Sequence, residues 1–168
     1  VRMNAFHYHL LAARTRMDRP RDAAITYCAL KLSGEAGETH ETAMRPSTRT
    51  QQIRELGDCC WYVAWLADLL GVDALTLWTV YDEPAVFTFY AATERLSQAA
   101  HAVCEATGKI QHGKPESGIV PPLRATVGTI MACARVLGVP IADVWAENVR
   151  KLEARHPGQF SGDYAPET

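Results

Sequence analysis

Glu55-Leu56-Gly57-Asp58-Cys59-Cys60-Trp61-Tyr62-Val63-Ala64-Trp65-Leu66-Ala67 decides how the rest of the chain is read. Acids spaced i, i+3 share one face of a helix. The apolar and aromatic run behind them is predicted to be mostly buried. Working outward, Glu35-Ala36-Gly37-Glu38 repeats the same acid spacing upstream. Four carboxylates beside an apolar helix repel one another and resist desolvation unless cations neutralise them. An all-oxygen donor set suits a hard divalent ion, Mg²⁺ or Mn²⁺. Glu35, Glu38, Glu55 and Asp58 are therefore the predicted metal ligands. The small residues at 36, 37 and 57 are expected to let the two acidic helices approach closely.

Helical signals dominate on either side. Apolar positions at Phe6, Leu10, Leu11 and Ala13 predict a first helix over 4–16. Asp18-Arg19-Pro20 offers a cap and a proline start for a second, over 21–45, which Pro46-Ser47 breaks. A third spans 48–70 and stops at Gly71. Asp73 caps a short fourth helix through Trp78 to Asp82. Pro84 is expected to open a helix over 85–108, and 111–118 reads as a loop. Pro121-Pro122 starts a helix ending at Gly138, and Pro140 starts the last, to about 156. No alternating stretch argues for a sheet, so the expected class is all-α, a helical bundle.

The chain also repeats itself. Ala67-Asp68-Leu69-Leu70-Gly71-Val72 with Leu77-Trp78 matches Ala134-Arg135-Val136-Leu137-Gly138-Val139 with Val144-Trp145 at one offset. Lys31-Leu32-Ser33 resembles Arg95-Leu96-Ser97. In that register Glu35 and Glu38 fall opposite Ala99 and Ala102, and Glu55 and Asp58 opposite Pro122 and Ala125. The expectation is a single domain, 1–168, holding an acidic half (1–82), a degenerate second half (83–160) and a tail (161–168). A plain insertion over about 79–138 is the rival explanation.

Composition bounds the rest. A chain of 168 residues with 48% hydrophobic and 21% charged content can bury a real core. Seventeen basic against nineteen acidic residues leave a net charge of −2, which disfavours a general nucleic-acid or membrane-surface partner. The first twenty residues lack the apolar block of a signal peptide, and no run reaches membrane-spanning length, so a cytoplasmic location is expected. Five cysteines without C-x-x-C spacing read as buried thiols. Two further patterns stand out. Asn148, Lys151 and Arg155 form one polar stripe on the last helix, which on spacing alone reads as charge placement near a helix end ahead of a phosphate contact. Tyr62 and Trp65 continue the face of Glu55, where aromatics serve either the core or a flat ligand. Glu153-Ala154-Arg155-His156 occurs once, whereas a di-iron bundle needs two such motifs.

Taken together, Leu32-Ser33-Gly34-Glu35-Ala36-Gly37-Glu38, Glu55-Leu56-Gly57-Asp58-Cys59-Cys60-Trp61-Tyr62 and Asn148-Val149-Arg150-Lys151-Leu152-Glu153-Ala154-Arg155-His156-Pro157-Gly158-Gln159-Phe160-Ser161 resemble the motifs of the MazG-like all-α nucleoside triphosphate pyrophosphohydrolases. Asn4 and Tyr8 sit where family members often begin their first helix. The long interval before the closing motif is similar to the dimeric dUTPase branch, in which one chain carries two related halves, a pseudo-dimer. The resemblance implies hydrolysis of a (deoxy)nucleoside triphosphate to the monophosphate and pyrophosphate. It implies two or three Mg²⁺ or Mn²⁺ ions on Glu35, Glu38, Glu55 and Asp58, with Glu38 polarising the water. Asn148, Lys151, Arg155 and Lys31 would contact phosphate, and Tyr62, Trp65 and Tyr8 the base. A purine nucleotide such as dGTP is the expected substrate, with dUTP or dCTP as the alternative. A non-catalytic nucleotide-binding bundle is the reading from a different class. The expected partner is a second copy of the chain, as a dimer or dimer of dimers.

Overall fold

The computed structural model describes residues 2–160; among them are seven α-helices and no strand. The tail and Ser161 of the closing motif lie outside the described residues. The helices are α1 (Ala5–Ala13), α2 (Arg21–Met44), α3 (Arg49–Leu69), α4 (Ala74–Thr79), α5 (Phe89–Ile110), α6 (Val120–Val136) and α7 (Ile141–Arg155). Short 3₁₀ turns occupy Glu116–Ile119 and Pro157–Gln159. No single helix among the described residues is long and apolar enough to cross a membrane.

Two long hairpins, α2/α3 and α5/α6, make the bundle, with α2 against α5 and α3 against α6. Leu32, Leu56, Leu66, Leu96, Leu123 and Ile130 are fully buried between them. Each such side chain contributes about 1.5–3 kcal/mol of burial. The α2–α5 seam is built from small residues, Ala29, Ala36, Ala92 and Ala100, all buried. The two backbones are close enough there for Ser97 Oγ to donate to the Ala36 carbonyl (3.3 Å) and Cys104 Sγ to that of Ala29 (2.9 Å). Ala36 thus lies at the contact with α5. Gly57 turns toward α7, where a Cβ would meet Asn148 Cβ at 2.9 Å, and Gly37 has no neighbour that needs its missing Cβ.

Caps set most boundaries. Asn4 accepts from the His7 amide at the start of α1, which ends at Ala13, short of 16. Thr48 and Gln51 bond each other's backbone amides in a capping box that opens α3. Asp73 caps α4 through the Thr76 amide, but that helix ends at Thr79 and not at Asp82. Asp18 supplies no cap: Pro20 occupies the N-cap position of α2 without a side-chain bond. The helix expected from 85 begins at Phe89, capped by Thr88, and runs through Gly108 to Ile110. Tertiary packing overrides the Pro84 start. Residues 80–88 form a strap over α6, with Val86 buried and its carbonyl accepting from Arg135 Nη2 at 3.1 Å. Glu83 pairs with the same arginine, and Gly128 lies directly beneath the Asp82 carbonyl.

A buried histidine docks α1 on this frame. His9 Nε2 accepts from Trp78 Nε1 (3.0 Å), so its Nδ1 carries the proton and donates to Asp68 Oδ1 (2.9 Å). Arg16 closes on the other Asp68 oxygen at 2.6 Å. These partners hold Asp68 below its ordinary range despite burial, which acts in the opposite direction. The consequence is positional: α1 presents Tyr8 to the last helix.

Candidate metal and phosphate site

Because α2 and α3 lie side by side, their acids converge near the middle of both helices. Oxygens of Glu35, Glu55 and Asp58 all lie within 4.8 Å of one another. Glu38 is exposed and stands outside that cluster, one turn further along α2. Its charge still bears on the group, since it pushes both Glu35 and Glu55 upward. The expected quartet is therefore three convergent carboxylates and a fourth at the solvent rim.

The trio is electrostatically costly as it stands. Desolvation, then the charge of Asp58, raises the Glu35 and Glu55 carboxyls above their ordinary range. Two lysines offset part of this. Lys31 Nζ lies 3.2 Å from Glu35 on the same helix, and Lys151 Nζ reaches Asp58 Oδ2 from α7. Glu55 has no such lysine of its own, though Lys151 acts on it through space. Three carboxylates whose oxygens lie within 4.8 Å of one another form a hard-oxygen donor set, which fits a divalent cation such as Mg²⁺ or Mn²⁺.

Asn148 has a different role from that expected of it. Its side chain is fully buried, so it is closed to phosphate. Nδ2 donates to Asp58 Oδ1 (3.1 Å) and Oδ1 accepts from the Tyr8 hydroxyl (2.9 Å). The amide is thus pinned at both ends, and it fixes the rotamer of Asp58. Tyr8 is pinned in turn by stacking on Trp145, with ring centroids 5.4 Å apart and planes at 11°. Tyr8 is wholly buried and cannot meet a base; it orients a metal-ligand candidate through Asn148. The chain Trp145–Tyr8–Asn148–Asp58 joins α1, α7 and α3 and explains why Gly57 must lack a side chain.

Beside the carboxylates opens a cleft of about 240 Å³ lined by Met17, Glu35, Asp58, Trp61, Tyr62 and Arg155, among others. Tyr62 is where the sequence placed it. Trp65 is not: it is 4% exposed and packs edge-on against Trp61 and Tyr27 in the core. Trp61 takes the wall position, its indole Nε1 donating to Thr15 Oγ1 and the Ala12 carbonyl. The signal was available, because Trp61 is three residues from Asp58 and so shares its face, while Trp65 was aligned from Glu55. Arg155 is exposed at the cleft mouth, and Lys31 and Lys151 flank the carboxylates.

Other acid and histidine candidates fall elsewhere. His40 is half-buried and bonds Thr93 across the α2–α5 seam (2.8 Å). Glu41, Glu153 and His156 are exposed. All five cysteines are free, and burial pushes the Cys28 and Cys133 thiols up to about 12. No protein-family profile, curated protein or solved structure matches the chain.

Proposed function

We propose that this chain is a metal-dependent (deoxy)nucleoside triphosphate pyrophosphohydrolase with a MazG-like bundle. It would convert a dNTP and water to a dNMP and pyrophosphate. The observation that carries this reading is the convergence of Glu35, Glu55 and Asp58 beside a cleft that has cations at its mouth and an aromatic wall. Those three carboxylates, with Glu38 at the rim, would hold the metal. When bound, Mg²⁺ or Mn²⁺ lowers the pKa of an attacking water and neutralises phosphate charge.

The protein's own groups account for the remainder. Water adds to the α-phosphorus, the bond to the α,β-bridging oxygen breaks, and pyrophosphate leaves with that oxygen. Glu38, exposed at the rim one turn from Glu35, would take the water's proton. Asn148 and Tyr8 keep Asp58 in one rotamer, so the donor set needs little reorganisation. Arg155 offers a planar fork to phosphate oxygens, and Lys31 and Lys151 offer point charges. Trp61 and Tyr62 give a flat ring an apolar face and exclude water from it.

Incubation with a dNTP panel and Mg²⁺ or Mn²⁺, with products separated, is the direct test. Monophosphate plus pyrophosphate is expected, and stepwise release of orthophosphate would refute the reaction. Asp58→Ala and Glu38→Ala should each lose at least about a hundredfold in kcat; full activity in both would sink the assignment. The two lysine–carboxylate pairs favour one rival, because they partly neutralise the acids without metal. A non-catalytic nucleotide-binding bundle predicts nucleotide binding without turnover and tolerance of both substitutions.

A further inference from the structure

The carboxylate trio is a partition between two clefts of opposite character. Glu35 and Asp58 face the aromatic cleft already described. On the other side, Glu55 borders a second and larger cleft of about 500 Å³, whose charged lining is completed by Arg54, Glu147, Arg150, Lys151 and Arg155. Arg155 lines both clefts. The second cleft sets four cations against two carboxylates and presents no aromatic ring.

Two of its cations are arranged by a single buried acid. Glu147 on α7 is only 9% exposed. Its Oε1 accepts from Arg54 Nε on α3 (2.8 Å), and its Oε2 accepts from Arg150 Nη1. One carboxylate thereby holds two guanidiniums from different helices at the cleft wall. A guanidinium has five donors, and Glu147 takes one from each. Both arginines are well exposed, at 52% and 69% of their side chains, so the pair contributes little to stability. Two preoriented forks beside Lys151 and Arg155 match a ligand with several phosphate oxygens.

We infer, resting on the proposed pyrophosphohydrolase activity for the identity of the substrate, that the Arg54–Glu147–Arg150 clamp seats the β- and γ-phosphates. The nucleoside lies in the Trp61–Tyr62 cleft and the α-phosphate at the carboxylate partition. After cleavage, pyrophosphate occupies the clamp and the monophosphate stays on the aromatic side. Arg54 and Arg150 thus select triphosphates over monophosphates, while contributing nothing to base choice.

Binding of Mg²⁺-pyrophosphate and of each of the four dNMPs is measured by titration calorimetry on the wild type and on Arg54→Gln/Arg150→Gln. The double variant should bind pyrophosphate about tenfold or more weakly, a step of about 1.4 kcal/mol. Its dNMP affinity should stay within twofold, and KM for a dNTP should rise more than kcat falls. Unchanged pyrophosphate binding overturns the inference, as does an equal loss for pyrophosphate and monophosphate. If the double variant fails to fold, Arg150→Gln alone carries the test, with threefold weaker pyrophosphate binding in support and no change against. A wild type that binds pyrophosphate through the clamp but hydrolyses no dNTP keeps the clamp and removes the pyrophosphohydrolase reading. Turnover by a wild type whose pyrophosphate binding ignores both arginines does the reverse.

Discussion

The α2/α3 and α5/α6 hairpins share a frame and differ in everything chemical. Each ends its second helix in the same turn. Gly71 and Gly138 adopt φ of 68° and 65°, a region that favours glycine. The Val72 and Val139 amides reach back to Ala67 and Ala134 at 2.8 and 3.0 Å, in the six-to-one bond of a Schellman closure. The helices that follow bring Trp78 and Trp145 edge to face, 5.1 Å apart. In the register of the sequence repeat Glu35 and Asp58 fall opposite Ala99 and Ala125, which line a cleft of about 460 Å³ under the 80–88 strap. The second hairpin folds with alanines at 99 and 125 and no buried carboxylate cluster among its described residues. Desolvation of the carboxylates in the first is a cost that folding does not require, which is the physical case for a functional role.

Moving the acids should break this comparison most visibly. Glu35→Ala plus Glu38→Ala is expected to reduce pyrophosphate release by at least about a hundredfold. Ala99→Glu plus Ala102→Glu should create no second site, because Pro122 and Ala125 supply no oxygen ligand. Counting bound Mn²⁺ per chain separates the cases, and a second metal stoichiometry in the gain-of-acid variant would undo the contrast.

The mid-helix glycines sharpen it next. Helix propensity alone would make Gly→Ala stabilising by about 1 kcal/mol at each. At Gly128 a Cβ overlaps the Asp82 carbonyl oxygen, so the strap must lift. Gly128→Ala should cost about 1–3 kcal/mol in denaturant unfolding, with activity retained in the folded fraction. Gly57→Ala meets Asn148 at 2.9 Å and should cost less stability but more activity, since Asn148 orients Asp58. Equal effects of both substitutions on kcat would mean that the two glycines do the same work.

How much of this was legible in the chain varies with the range of the interaction. The Gly71 and Gly138 stops, the Asp73 cap and the acid spacing are local, and each is readable within one or two turns. The strap is not: Pro84 favours a helix start, but Val86, Gly128 and Arg135 hold 80–88 down through contacts some fifty residues apart in sequence. The same holds at the site. Three of four acids were placed correctly as a cluster, whereas Glu38 falls at the rim because α2 rotates it toward solvent. The burial of Asn148 depends on Tyr8, which lies 140 positions away. Spacing on α7 could show only that Asn148 shares a face with Lys151 and Arg155. The Glu147 clamp was missed for the same reason, since its partner Arg54 comes from another helix.

The smallest effect lies in the acid trio's own titration. Glu35 and Glu55 are held above their ordinary value of 4.5 in the folded state, chiefly by desolvation and then by Asp58. The native state therefore retains protons that the unfolded chain has released. The stability this linkage contributes is fully present below the unfolded pKa and is lost as pH rises through the folded ones. Metal-free protein should thus become less stable from pH 4.5 toward 7 by this contribution, and Mg²⁺, taking the proton's place, should raise Tm more at pH 7 than at pH 5. Glu55→Gln should flatten the metal-free profile and blunt the Mg²⁺ response together, each by under about 1 kcal/mol. Ala99 and Ala125 do not titrate, so those two positions of the second hairpin add nothing to that slope. If the slope survived unchanged in both Glu55→Gln and Glu35→Gln, the strain would have to be sought outside the acid trio, and the contrast between the two hairpins would lose its energetic basis.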